Sequence, residues 1–141
     1  MLLRIQTVRV ELRHLRARTA IASAAGSQRE QRLQIAENMA RKISKEQVAW
    51  ADPLAALIRG GMAGSRGDKA SAMTYLSQAV EGFELADMAL YAAASRRRLG
   101  EATEERGVQL ITEADSWMAA QRIKNPERMT QMLAPGFDNP E

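Results

Sequence analysis

Short turn-forming signals recur along this chain, and between them the apolar residues fall at helical spacing. Gly26-Ser27, Asp52-Pro53, Gly67-Asp68, Gly100, Asn125-Pro126 and Pro135-Gly136 cut it into pieces of helix length. Glycine accepts the left-handed backbone just past a helix end. Aspartate, asparagine or serine oxygens satisfy the first amides of the next helix, and proline is preset for its first turn. No segment alternates as a half-buried strand must. Aromatics make up only 4% of the residues, and alanine supplies much of the apolar content, which favours closely packed helices. The expected fold is all-α.

The spacing predicts a first helix over 2–25, with Ile5, Val8, Leu12, Leu15, Thr19 and Ala22 on one face. A second, over 28–45, should bury Leu33, Ala36, Met39 or Ala40, and Ile43. Residues 46–52 read as a connector. Asp52 then caps a third helix over 53–66, whose Gly60, Gly61 and Gly64 are tolerable only where another backbone comes close. A fourth helix over 69–85 should bury Ala72, Leu76, Ala79, Val80 and Phe83. A fifth over 87–99 carries Met88, Leu90, Tyr91, Ala94 and Leu99 and closes at Gly100. A sixth over 103–121 should bury Val108, Ile111, Ala114 and either Trp117 or Met118, and a short seventh runs from Pro126 to about Leu133. Residues 138–141 read as a tail.

Several chemistries are poorly served by this composition. Without cysteine there is no disulfide or thiolate metal site, and the single histidine, His14, rules out histidine clusters and histidine-based triads. His14 reads as a surface or boundary residue. Neither catalytic, cofactor-binding nor metal-binding residues are expected, so the chain reads as a non-enzyme with no cofactor. No stretch is apolar for long enough to suggest a signal peptide or membrane span, and a cytoplasmic protein is expected. The net charge of +3 is uneven: residues 1–49 carry +6, and the remainder carries −3.

Residues 53–86 fit one tetratricopeptide unit: Gly60 in the first helix, Gly67-Asp68 at the turn, then Ala72, Leu76 and Ala79 in the second. Ala56, Arg59 and Glu84 depart from that pattern. Residues 87–134 read as a degenerate unit and closing helix, and 1–49 as a basic helical hairpin. Together, 1–137 form one expected domain of tetratricopeptide-like hairpins stacked in a short right-handed solenoid. Three strings, WADPLAALIRGGMA, RGDKASAMTYLSQAVEGFELADMALYAAASRRRLG and EADSWMAAQRIKNPERMTQMLAPGF, lie in that order. They resemble the C-terminal end of large bacterial serine/threonine protein kinases, as does the upstream HLRARTAIASAA. Met88-Ala89-Leu90-Tyr91, Arg97-Arg98-Leu99-Gly100 and Pro135-Gly136-Phe137 carry the resemblance. It implies a helical-repeat segment that follows a kinase domain. This chain has no glycine-rich phosphate loop and no HRD or DFG motif, so no catalytic residue transfers to it.

The functional expectation is a non-catalytic scaffold that presents a concave surface to a protein or peptide. Arg9, Arg13 and Arg16 form a stripe at spacings of four and three, which reads either as a solvated face or as a contact for an acidic protein. Trp50, in the connector, packs either on the third helix or on a partner. Arg96-Arg97-Arg98 near a helix C-terminus reads as structural, paired with neighbouring acids, and the Glu101, Glu104 and Glu105 cluster as a solvated turn. Two alternatives remain. One is self-association through the Ile5, Val8, Leu12 and Leu15 seam with its Leu2-Leu3 start. The other is nucleic-acid binding by the basic hairpin, which is disfavoured because residues 1–49 contain no Trp, Tyr or Phe for stacking.

Overall fold

The computed structural model describes residues 2–137, so the 138–141 tail lies outside the described residues. Among the described residues the chain is helical throughout, with no strand. The helices are α1 (Leu2–Ala22), α2 (Arg29–Ser44), α3 (Ala51–Ser65), α4 (Lys69–Leu85), α5 (Ala89–Ala102), α6 (Gly107–Ala120) and α7 (Pro126–Leu133), with a 3₁₀ turn at Gly26–Gln28. Each of α1 to α6 packs on the helix that follows it, α1 also touches α3, and α7 returns onto α5 and α6.

The turns form for the reasons the sequence advertises, with some displacement. After α3 the chain reverses through Gly67 at φ 75°, the Asp68 amide donates back to the Ala63 carbonyl, and the Asp68 carboxylate accepts from the Ser71 amide at 3.1 Å. The same closure follows α4 and α6 without glycine. Asp87 and Arg122 take positive φ (58° and 62°) while Met88 and Ile123 donate to Phe83 and Met118. Asn125 caps α7 by accepting from the Arg128 amide.

Three turn assignments shift. Ser27 does not cap α2, which begins at Arg29 after the 3₁₀ turn. Asp52 is not the N-cap of α3: the helix starts at Ala51 behind Trp50, and Pro53 falls within the first turn, where no amide is required. Gly100 does not end α5 either. It lies buried inside the helix, where a Cβ would meet the Gly107 carbonyl at 2.7 Å and Ile111 at 2.9 Å, so it lets α6 approach. α6 accordingly begins at Gly107 rather than near 103.

Leu33, Ala36, Met39, Ala40 and Ile43 of α2, and Ala72, Leu76, Ala79 and Phe83 of α4, are buried as their spacing predicts. Val80 is only half-buried. α6 buries Ala114 and Met118, but Val108 is 80% exposed, because α6 meets α5 through Gly107 and turns the first-turn valine outward. α1 packs through Val10, His14, Ala17, Ala20 and Ile21. Its small residues permit close approach, and the opposite face, bearing the larger aliphatic side chains, is left in solvent.

α1, α3 and α5 converge on one face, which is covered by α7 and the segment 134–137. A Cβ on Gly61 would collide with the Pro135 carbonyl oxygen, one on Gly136 with the Gly61 carbonyl, and one on Gly64 with the Phe137 ring at 2.7 Å. The close approach expected of these glycines is therefore to the chain's own closing segment. Gly60 instead receives Leu76 of α4. The step from the start of α3 at Ala51 to the start of α5 at Ala89 is 38 residues, against the ~34 of a tetratricopeptide motif.

Candidate interaction surface

His14, expected near the surface, is 3% exposed. Its ring lies 5.6 Å from Tyr91 of α5, which in turn lies 5.3 Å from Phe83. Burial, reinforced by the neighbouring Arg18 charge, lowers its pKa to about 3, so it is neutral at physiological pH. Arg18 itself reaches out to the Met132 carbonyl at 3.1 Å, tying α1 to α7.

The Arg96-Arg97-Arg98 run is structural. Arg96 pairs with Glu84, and Arg97 with Glu101 and with Asp115 at 2.8 Å. Arg98 is buried at 4% exposure. Its Nε donates to the Ala134 carbonyl at 2.9 Å, its Nη1 to Glu101 at 2.8 Å, and its guanidinium sits 5.1 Å from the Phe137 ring centroid. It anchors the closing segment. The acids near 101–115 are thereby partly consumed in ion pairs, and among the described residues no group of three or more acids and histidines is arranged to hold a metal ion.

The stripe of Arg9, Arg13 and Arg16 divides. Arg9 grips Glu46 through two contacts of 2.7 Å, and Arg13 joins the same carboxylate and reaches the Lys42 carbonyl at 3.3 Å. Gln6 adds a hydrogen bond to the Glu46 carbonyl at 2.7 Å. The hydrogen bond from Arg9, joined by that from Arg13, lowers the Glu46 pKa to about 2. Two of the three arginines thus clamp α1 to the end of α2. Among the described residues Arg16 forms no ion pair, and it stands on the wall of a cleft of about 310 Å³ between the two helices. Arg41, Lys42 and Lys45 complete its cationic rim, and Ile35 and Met39 line it with apolar surface. Trp50 is half-buried against the main core, so it packs within the fold.

Beside this cleft the outer face of α1 exposes a row of large aliphatics: Ile5 53%, Val8 53%, Leu12 61% and Leu15 50%, preceded by Leu2 and Leu3 at 84% and 77%. Ile5, Val8 and Leu12, with Arg4, Arg9 and Arg13, line a shallow open groove of about 520 Å³. Isolated surface aliphatics are ordinary, whereas these form a continuous row at helical spacing. Arg41 and Lys42 of α2, and Lys45 just past its end, were not singled out from the sequence. Their signal was present in the four-residue step from Arg41 to Lys45, with Lys42 on the same side.

Among the described residues no helix is long and apolar enough to cross a membrane. Comparison with protein-family models, with curated proteins and with solved structures finds no match.

Proposed function

We propose that this chain is a non-catalytic protein-interaction scaffold, part of the C-terminal helical-repeat region of a bacterial serine/threonine protein kinase acting in the cytoplasm. The observation that carries the interaction reading is the exposed row Ile5, Val8, Leu12 and Leu15, fixed on a helix whose opposite face is fully engaged. The ordered packing of each helix on the next supports a solenoid of tetratricopeptide-like hairpins, of longer period than the standard repeat. The kinase context rests on the resemblance of the strings between Trp50 and Phe137. Because α7 and residues 134–137 fill the face shared by α1, α3 and α5, the binding surface is assigned to the outside of α1.

Two experiments test the parts separately. The reading frame upstream of the Met1 codon should encode a kinase domain in phase, and an in-frame stop immediately upstream would remove the kinase assignment. A photo-crosslinking residue at Leu12 should trap a protein in the native cell, while the same group at Val108, still more exposed but outside the row, should not. Equal trapping at both positions, or none at either, would defeat the scaffold reading.

A further inference from the structure

The exposed aliphatic row and the cationic cleft lie side by side, and the arginine stripe runs between them. Arg9 and Arg13 border the groove over Ile5, Val8 and Leu12, and Arg16, next on that stripe, forms the wall of the cleft with Arg41, Lys42 and Lys45. The contacts from Arg13 to the Lys42 carbonyl and to Glu46 fix the two helices against each other along this border. Among the described residues Arg4, Arg16, Lys42 and Lys45 form no ion pair, while a single carboxylate, Glu46, serves both Arg9 and Arg13. The surface is therefore apolar along one strip and in cationic excess along its edge.

We propose that the outer side of the α1–α2 hairpin docks an amphipathic helix of acidic character. This rests on the scaffold reading and specifies its partner. The guest's apolar stripe, at spacings of three and four, lies along Ile5, Val8, Leu12 and Leu15. Its acidic edge faces Arg16, Lys42 and Lys45, and the apolar lining of Ile35 and Met39 extends the contact into the cleft. Charge complementarity selects this guest over a second copy of the chain. Paired antiparallel through the same strip, two α1 helices set Arg9 against Arg16 and Glu11 against Glu11. Paired in parallel, they set Arg4 against Arg9 and Glu11 against Arg16, so repulsion and attraction offset each other. Neither arrangement gains the net attraction that an acidic guest does. Nucleic acid would meet the cations but leave four half-exposed aliphatic side chains facing phosphates, with no Trp, Tyr or Phe in residues 1–49 on which to stack a base.

The test uses the full chain and three fluorescent probes in anisotropy titrations: a synthetic amphipathic helical peptide with leucines at these spacings flanked by glutamates, the same peptide with lysines replacing the glutamates, and a single-stranded oligonucleotide. The acidic peptide should bind at least about tenfold more tightly than the basic one, and added salt should weaken it. Leu12→Ser and the double change Lys42→Glu, Lys45→Glu should each weaken it about tenfold or more. These side chains are solvent-facing, so circular dichroism should match that of the parent. Equal binding of both peptides, preference for the oligonucleotide, or indifference to either variant overturns the proposal. So does a dimer, seen by sedimentation, that Leu12→Ser dissolves. If the acidic peptide fails but Leu12 still crosslinks a protein in cells, the scaffold reading survives and the acidic-helix partner does not. Loss of the crosslink as well defeats both.

Discussion

Acid should destabilise this protein through His14, and the size of the effect follows from its burial. In the unfolded chain the imidazole titrates near 6.5, and in the fold near 3. Between those values the unfolded state binds more protons, so stability is fully present above pH 6.5 and is lost as the pH falls toward 3. Each pKa unit is worth about 1.36 kcal/mol, which makes the full loss about 4–5 kcal/mol and the loss at about pH 4.5 about 2–3 kcal/mol. Among the described residues no acid is hydrogen-bonded to the ring. The charge acting on it is that of Arg18, and the ring beside it is Tyr91. The assay is urea unfolding, followed by circular dichroism at about pH 7.5 and about pH 4.5, on the parent and His14→Leu. Carboxylates such as Glu46, whose lowered pKa also favours the fold above the acid range, act in both proteins and cancel in the comparison. Between the two pH values the parent should lose about 2–3 kcal/mol more than the variant. Parallel losses would refute the claim that His14 is buried in its neutral form.

Three further outcomes follow from packing. Gly61→Ala should lower stability by about 1–3 kcal/mol in thermal unfolding, because a methyl group there meets the Pro135 carbonyl oxygen rather than a movable side chain. Arg98→Ala should cost about 2–3 kcal/mol by removing the donor to Ala134 and Glu101, and Arg98→Lys should recover little, since one ammonium cannot reproduce those directions and the stack on Phe137. Val108→Lys should change stability by less than about 0.5 kcal/mol, whereas Ala114→Leu, six residues further along α6 at a fully buried position, should cost about 1–3 kcal/mol.

How far the sequence could be read depended on whether a helix has one apolar face or two. α2 and α4 have one each, and Leu33 to Ile43 and Ala72 to Phe83 were legible from spacing alone. α1 has two: Ile5, Val8, Leu12 and Leu15 on one side, and Val10, Ala17 and Ile21 on the other. Periodicity cannot rank them. Which side packs is decided by how closely α2 and α3 can approach, and that favours the side with Ala17 and Ala20. His14 then goes inside because of its place on that side, not because of its chemistry. Gly100 shows the same limit, since a glycine that permits helix contact looks in sequence like one that ends a helix. At the candidate site, the row and the arginine stripe were visible, but the sharing of Glu46 by Arg9 and Arg13 across the hairpin was not. That sharing is what shifts the available charge to Arg16, Lys42 and Lys45.

The meeting of Gly61 and Gly136 also bears on the order in which the chain can fold. Helices α1 to α6 bury themselves largely on their immediate successors, so these contacts close short loops and form quickly. The glycine contact closes 75 residues, from 61 to 136, and carries the larger entropic cost of a long loop. It should be the last to form and the first to open. Leu133, Ala134 and Pro135 lie beside His14, together with Ile21, Leu57 and Ile58. Undocking of the final segment should therefore open one side of that ring to water and ease its protonation.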